Sequence, residues 1–345
     1  EGREFLQAVF GNSPFLSLGL RHDPTILKRV TELGFDHTFE QLLTALADRQ
    51  LWRQGRADVM SGLRLAKRGV ALAIAMADIA GAWPLEKVCR SLSQFAEMSI
   101  SIALNYLLFQ AHKSEQLLLA NLESPEAGSG VVVLGMGKLG ARELNYSSDI
   151  DLLVLFDGEK VNHRGSEGPQ QGLHRMVREL VSLLGERSAD GYVFRTDMRL
   201  RPDPGATPLA VSTAAAEQYY ESLGQNWERA AMIKARPVAG DLEVGAQFLS
   251  RLVPFVWRKY LDFAAIEDIH SIKRNNDLFP IAADLCEKMY RGRTAGFNFF
   301  VKHCCTATAK SLITLIFLAI LAKGPKLASR ISALLAMRTL LKGII

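Results

Sequence analysis

The spacing of apolar residues changes its period once along this chain of 345 residues, and that change most constrains the fold. From residue 1 to about 125, apolar positions recur at three and four with a break at Gly81–Pro84, which is typical of amphipathic helices. Two short continuous apolar runs follow, VVVL at 131–134 and IDLLVLF at 150–156. Such runs are typical of buried strands. The sequence therefore predicts helices first and a sheet after them.

The remainder of the chain completes an α+β layout. A helix is predicted at about 171–187, a third strand in YVFRTDMRLRP at 192–202, and another strand in MIKARPVAG at 232–240. We therefore predict a mixed sheet of about five strands, flanked by N- and C-terminal helical regions. The predicted regions are a helical domain, the mixed-sheet domain and a C-terminal helical region, at residues 1–127, 128–262 and 263–345.

The charge, the cysteines and the apolar segments of the chain limit which partners it can bind and in which compartment it works. The net charge of +5 is spread along the chain and is too small to indicate a nucleic-acid partner. The four cysteines lack metal-ligand spacing and two are adjacent, which favours free thiols in a reducing compartment. The sequence has no signal peptide and no membrane-spanning apolar run, so we expect a cytoplasmic protein without a membrane partner. The missing initiator Met indicates an excised fragment.

Three glycines after the first apolar run offer one interpretation of the chemistry. Gly135, Gly137 and Gly140 fit G-x-G-x-x-G, and Asp157 ends the next run, as in dinucleotide-binding proteins. Only about eight residues remain for a helix between the glycines and the second run, whereas a parallel crossover needs a dozen or more. The spacing therefore argues against a dinucleotide site.

Two aspartates at the start of the second apolar run favour a metal site instead. Asp149 and Asp151 are two positions apart, so their side chains share a face in a strand. Neighbouring carboxylates repel and resist ionisation unless a cation lies between them. Oxygen ligands select Mg²⁺ or Mn²⁺, and two such ions can hold the attacking and leaving oxygens of a phosphoryl transfer. We therefore predict that both aspartates are catalytic metal ligands.

The residues around these aspartates are predicted to bind nucleotide or phosphate. Gly135 and Gly137 let backbone amides approach a phosphate where a short helix begins, and Lys138 adds a positive charge there. Ser147 and Ser148 add hydroxyl donors beside the aspartates. Together, the glycine turn and the serines predict a phosphate site next to the metal site.

One candidate for a third catalytic carboxylate lies in the predicted third strand. Asp197 is an acid among alternating residues, which makes it a candidate metal ligand as well. Arg195, Arg199 and Arg201 would share its face at period two, an arrangement that suits a phosphate or adenylyl group. A structural ion pair between Asp197 and one of these arginines is the alternative.

The other candidate for the third acid is Glu228, in the segment NWERAAMIKARP. Lys234 and Arg236 follow in the same segment and are predicted to bind phosphate. The sequence alone leaves Asp197 and Glu228 both open.

The sequences of these motifs resemble a superfamily of known proteins and, more narrowly, one family within it. Strand, glycine turn, short helix and S-D-x-D resemble the nucleotidyltransferase superfamily that includes DNA polymerase β, although Met136 replaces the usual Ser. More narrowly, the chain resembles glutamine synthetase adenylyltransferase/adenylyl-removing enzymes over roughly residues 10–274. The resemblance is carried by GMGKLGARELNYSSDIDLLVLFD, FRTDMRLRPDPGATPLAVS, NWERAAMIKARPVAGD and IEDIHSIKR. ELNYSSDIDL is typical of the N-terminal, adenylyl-removing copy.

The resemblance implies a polymerase β-like fold and removal of AMP from a tyrosine of glutamine synthetase. Phosphate attacks the adenylyl group and ADP leaves, with Mg²⁺ or Mn²⁺ at Asp149, Asp151 and Asp197. It also implies bound ADP or ATP, glutamine synthetase and the PII signalling protein as partners, and a role in regulating nitrogen metabolism. ATP-dependent adenylylation of glutamine synthetase and a non-catalytic regulatory domain are the alternatives.

The resemblance ends at Arg274. Within 291–302, Gly296 and Asn298 stand where the family has two glutamates. If those glutamates serve the reaction, this chain folds but is catalytically impaired, which is the basis of the non-catalytic alternative.

Overall fold

The computed structural model describes residues 6–7, 9–10 and 13–257. Residues 15–257 belong to one compact unit, which contains the sheet described below. The predicted C-terminal helical region and the departure from the family after Arg274 lie outside the described residues.

Long helices precede the sheet, as the helical periodicity predicts. Gly81, with a φ of 66°, turns the chain between the third and fourth helices, and Pro84 precedes the first residue of the fourth. His112 and Lys113 lie in the last turn of the fourth helix, where positive charge suits the helix dipole. Helices α1, α2, α3 and α4 span Pro14–His22, Thr25–Asp48, Arg56–Ile79 and Leu85–Lys113, with a 3₁₀ turn at Leu51–Arg53.

The described residues form a five-stranded mixed sheet, which confirms the predicted fold class. Strands β1 to β5 span Val131–Gly135, Ile150–Phe156, Thr196–Asp197, Ala210–Ser212 and Arg236–Gly240. Strand β1 is antiparallel to both β2 and β5. The outer edge of β2 pairs in parallel with β3 at its beginning and with β4 at its end.

Helices cover both faces of this sheet. Helices α5 to α10 span Gly137–Gly140, Pro169–Gly185, Thr213–Ser222, Asn226–Met232, Leu242–Arg251 and Val253–Val256. Ile150, Leu152 and Val154 of β2 pack in one apolar cluster with residues of α2, α3, α4 and α6. Leu153 and Leu155 pack in a second cluster with residues of α7 to α10. Because both faces are buried, β2 reads as a nearly continuous apolar run.

The antiparallel pairing of β1 with β2 excludes the dinucleotide interpretation. A dinucleotide fold needs a parallel crossover at this point, whereas Gly135 lies opposite Leu152 in an antiparallel ladder. The helix between the two strands, α5, is a single four-residue turn. The spacing argument from the sequence is therefore confirmed.

The predicted strand at 192–202 is wrong in length, since ladder pairing covers only Thr196–Asp197. The chain turns directly afterwards because the Asp197 carboxylate accepts the backbone N–H of Arg199 at 2.8 Å. Arg201 then donates to the carbonyls of Met198, Pro204 and Thr207 at 2.8, 2.6 and 3.3 Å. The three arginines predicted to share one strand face therefore do not do so.

Candidate active site

Asp151 and Asp197 lie directly opposite each other on the parallel strands β2 and β3. Opposed residues of neighbouring strands project from the same face of a sheet, so the two carboxylates converge. Asp151 also has the parity of Leu153 and Leu155, which places it on the face that α7 to α10 cover. It is the one residue of β2 that is not fully buried.

The electrostatics of Asp151 reflect this crowding. Burial, and after it the negative charges of Asp197 and Asp149, raise the pKa of Asp151 from 3.8 to about 6. The positive charges of Lys138 and Arg199 act in the opposite direction. The charges of Asp149, Asp197, Lys138 and Arg199 therefore all lie close enough to Asp151 to change its pKa.

Two arginines pair with the other two carboxylates. The guanidinium of Arg195 donates to Asp149 at 2.5 Å and to the backbone carbonyl of Ser147 at 2.8 Å. Arg199 donates to both carboxylate oxygens of Asp197 at 2.5 to 3.0 Å. The hydrogen bonds from Arg199 hold the pKa of Asp197 below its ordinary value. Asp197 therefore takes part in an ion pair and also faces Asp151.

A glycine turn closes over Asp151. Gly137 has a φ of 51°, and a Cβ built there would lie 2.6 Å from Oδ2 of Asp151. Lys138 Nζ lies 3.4 Å from the Ser148 hydroxyl, which donates to the side-chain carbonyl of Asn145 at 2.5 Å. The predicted phosphate-binding residues of this turn therefore lie beside the carboxylates. Ser147 is exposed, and its backbone carbonyl accepts a hydrogen bond from Arg195.

Gly135, the last residue of β1, supports the turn through packing. A Cβ at this position would lie 2.8 Å from Val238 and 3.0 Å from Leu139, so a larger residue would displace both neighbours. Gly135 thus brings α5 close to the sheet, in keeping with a backbone that approaches a ligand closely.

Other predicted phosphate-binding residues engage protein groups. Lys234 pairs with Glu143 at 2.8 Å. Arg236 pairs with Glu97 of α4 and donates to the carbonyls of Leu139 and Gly140 at the end of α5. These partners are separated by 91 and 139 residues along the chain. No local sequence pattern reveals pairs that distant, so neither glutamate could be predicted from the sequence.

Glu228 lies apart from the aspartates in its contacts. It is 2% exposed, and its carboxylate accepts the backbone N–H of Gln225 at 2.9 Å at the beginning of α8. Burial raises the pKa of Glu228. Its neighbours are the hydroxyl of Tyr219, which hydrogen-bonds to it, and the charge of Asp203, rather than Asp151. Of the two candidates for the third acid, the structure brings Asp197 to Asp151.

A divalent cation suits the donor chemistry of the aspartates. Asp151 of β2 and Asp197 of β3 lie close together with Asp149, which directly precedes β2. The ionised form of Asp151 is disfavoured until positive charge is added. Among the residues that the structure describes, no three His, Cys, Asp or Glu side chains form a ready ligand cluster. Asp149 and Asp197 instead face arginines, so a bound ion would compete with Arg195 and Arg199 for them.

The fold and site define a class of protein. A mixed sheet with a glycine turn after β1 and aspartates at the beginning of β2 and directly before it is consistent with a nucleotidyltransferase-like fold. The family model of glutamate–ammonia ligase adenylyltransferase matches residues 4–251. The chain belongs to this family.

Individual relatives agree with that assignment. A protein of Rhizobium meliloti (strain 1021), named bifunctional glutamine synthetase adenylyltransferase/adenylyl-removing enzyme, is 50% identical over 87% of this chain and 31% of its own length. The protein of the same name from Agrobacterium fabrum is 50% identical over 79% of this chain and 28% of its own length. The chain thus spans less than a third of either relative. No helix among the described residues is long and apolar enough to cross a membrane.

Proposed function

We propose that this chain removes AMP from the adenylylated tyrosine of glutamine synthetase by phosphorolysis, yielding ADP. The observation that carries the proposal is the parallel register that sets Asp151 opposite Asp197, beside a glycine turn. Membership in the adenylyltransferase family supports glutamine synthetase as the substrate protein. The names of the relatives cover both directions of adenylyl transfer, and the ELNYSSDIDL motif favours removal.

The carboxylates have a defined role in this proposal. Asp149, Asp151 and Asp197 would hold Mg²⁺ or Mn²⁺, and such an ion would offset negative charge on the phosphoryl oxygens. The raised pKa of Asp151 supports this role because added positive charge favours its ionised form. Asp197 is the third acid of the proposal, and Glu228 stabilises the beginning of α8 instead.

Groups near the carboxylates would position the phosphates. The side chain of Arg199 is 85% exposed, so it can turn from Asp197 to an incoming phosphate. Lys138 and the backbone of Gly137 lie close to Asp151, where positive charge and a backbone amide suit the adenylyl group. Lys234, Arg236 and Arg201 have protein partners and would shape the site from outside.

Phosphate and the adenylylated tyrosine are the only reactants that this reaction needs. An oxygen of monohydrogen phosphate forms a bond to the adenylyl phosphorus, and the bond from phosphorus to the tyrosine oxygen breaks. The proton of the phosphate passes to the tyrosine oxygen, which leaves as a phenol. The products are ADP and unmodified glutamine synthetase. The PII signalling protein would act as a regulatory partner of this chemistry.

A non-catalytic regulatory role is the second candidate, and a specific observation favours it. Asp149 and Asp197 already pair with Arg195 and Arg199, an arrangement that neutralises the site without metal. A binding module of this kind would hold nucleotide without turnover.

The deciding experiment incubates the chain with adenylylated glutamine synthetase, Mg²⁺ and inorganic phosphate and follows ADP by chromatography. The test variant is Asp149→Asn/Asp151→Asn. Asp157→Asn is the matched control, because Asp157 follows the last residue of β2 and its side chain accepts the local N–H of Glu159 at 3.0 Å. We expect ADP from the wild type and the control, and none from the double variant.

Other results would redirect the assignment. AMP incorporation from ATP into unmodified glutamine synthetase, without ADP formation from the adenylylated form, would establish the forward direction. Nucleotide binding by a folded wild type that is inactive in both assays would support the regulatory role.

A further inference from the structure

Helix α3 directs two cationic side chains at the backbone of the segment that leads into β3. Arg64 is 1% exposed and donates to the carbonyls of Gly191 at 2.9 Å and Leu183 at 3.2 Å, and also to that of Glu186. A fully buried guanidinium that is bonded to backbone carbonyls fixes the path of the chain between α6 and β3.

Lys67 continues this arrangement one helical turn further along α3. Its ammonium donates to the backbone carbonyls of Tyr192, at 3.3 Å, and Val193. It also lies 4.3 and 5.3 Å from the ring centroids of Tyr192 and Phe194, within cation–π range. Three consecutive residues therefore surround one charged group.

The residues that follow belong to the carboxylate site. The carbonyl of Arg195 accepts the N–H of Ile150 at 2.9 Å, and Thr196–Asp197 then pairs with the beginning of β2. The side chain of Arg195 pairs with Asp149. Lys67 of α3 thus holds the carbonyls of Tyr192 and Val193. The Leu184 carbonyl of α6 accepts the N–H groups of Val193 and Phe194, and pairing with β2 begins at Arg195.

Stability alone does not account for a cation at position 67. Burial, with the nearby positive charges of Arg195 and Arg64, lowers the pKa of Lys67 to about 8. The charged form of Lys67 is therefore less favourable in the folded protein than in water. A Met of similar length would fill the same space without that desolvation.

We propose that Lys67 is a positioning residue of the transfer reaction, which sets the location of Asp197 relative to Asp151 by holding the carbonyls of Tyr192 and Val193. This inference rests on the proposed function. Displacement of β3 by a fraction of an ångström would misplace one carboxylate of the pair and one arginine of the site.

The experiment compares Lys67→Met and Lys67→Arg with the wild type. Lys87→Met is the matched control, because Lys87 also contacts an aromatic ring, that of Trp83, but pairs with the surface residue Asp36. For each protein, the kcat and KM of ADP formation, the affinity for Mn²⁺ by calorimetry and the midpoint of thermal unfolding are measured.

We expect Lys67→Met to lower kcat at least about tenfold and to weaken Mn²⁺ binding, with KM for adenylylated glutamine synthetase unchanged. Its unfolding midpoint should stay within about 3 °C of the wild type, because relief of the buried charge offsets the lost hydrogen bonds. Lys67→Arg, which keeps charged donors, should restore most of kcat. Lys87→Met should match the wild type.

Each contrary result overturns the inference. A Lys67→Met variant with the kcat and Mn²⁺ affinity of the wild type would show that the hydrogen bonds of Lys67 do not position Asp197. Loss of kcat in step with unfolding, without rescue by arginine, would make the role structural. An inactive wild type would refute the proposed function. The Mn²⁺ affinities of the wild type and Lys67→Met would still test the positioning role, because equal affinities would refute it.

Discussion

Asp151 and Asp197 lie directly opposite each other on neighbouring parallel strands, yet the pKa values of their carboxylates shift in opposite directions. Hydrogen bonds from Arg199 lower the pKa of Asp197, whereas burial and two neighbouring carboxylates raise that of Asp151 to about 6. The electrostatic cost of bringing these carboxylates together therefore falls mainly on Asp151. Added positive charge would have its largest effect there.

The first prediction concerns stability without divalent ions. Because the pKa of Asp151 is higher in the folded than in the unfolded state, its ionisation reduces stability as pH rises from about 4 to 6, and the penalty persists above pH 6. The penalty is at most about 3 kcal/mol. Asp151→Asn should therefore raise the thermal midpoint by a few degrees at pH 7.5 with chelator, as measured by circular dichroism.

The pH dependence provides the check on this first prediction. Near pH 4.5 the advantage of Asp151→Asn should shrink, since the wild-type side chain is then mostly protonated. Asp157→Asn, at the other end of β2, should show no such pH-dependent gain. A constant gain at both pH values would assign the effect to something other than charge.

The second prediction separates metal binding from catalysis at Arg199. Removing its exposed side chain frees the Asp197 carboxylate, so Arg199→Ala should bind Mn²⁺ about two- to fivefold more tightly in calorimetry. ADP formation should fall about tenfold, because the side chain no longer holds a phosphate. Arg175→Ala, which breaks the exposed pair with Glu167, is the control and should change neither quantity. Weaker Mn²⁺ binding in Arg199→Ala would contradict the competition.

Much of the sheet was predictable from local pattern. VVVL and IDLLVLF are apolar because β1 and β2 are covered on both faces. These short, continuous apolar runs were therefore enough to predict both strands. The short loop between them was enough to exclude a parallel crossover. Asp197 also stood out as an acid, although only pairing across strands distinguishes its surroundings from those of Glu228.

The remaining features depend on distant partners. The third strand is shorter than its alternation predicts because the Asp197 side chain accepts the Arg199 N–H and ends the ladder. Arg236 is predicted to bind phosphate, and its pairing with Glu97, 139 residues earlier on α4, could not be read from the sequence. Lys67 carries no local signal, because its acceptors are backbone carbonyls that any sequence would present.

The third prediction concerns the turn over Asp151. Gly137→Ala forces a Cβ into a left-handed backbone conformation and towards a carboxylate oxygen 2.6 Å away. The backbone strain alone should cost about 1 kcal/mol or more, and displacement of Asp151 should reduce ADP formation at least tenfold. Gly158→Ala meets nothing within 4 Å and is the control, expected to keep wild-type activity. Full activity in Gly137→Ala would show that the close approach to Asp151 is not required.

The fourth prediction asks whether Arg236 binds phosphate or holds α5 in place. Its guanidinium pairs with Glu97 and donates to the carbonyls of Leu139 and Gly140, so its donors face protein. If it holds α5, Arg236→Ala and Glu97→Ala should both lower the unfolding free energy, with a coupling of about 1 kcal/mol in a double-mutant cycle. KM for phosphate should then be unchanged in Arg236→Ala. A rise in that KM, absent from Glu97→Ala, would instead return Arg236 to the phosphate site, because Glu97 repels the anion and its loss could only aid binding.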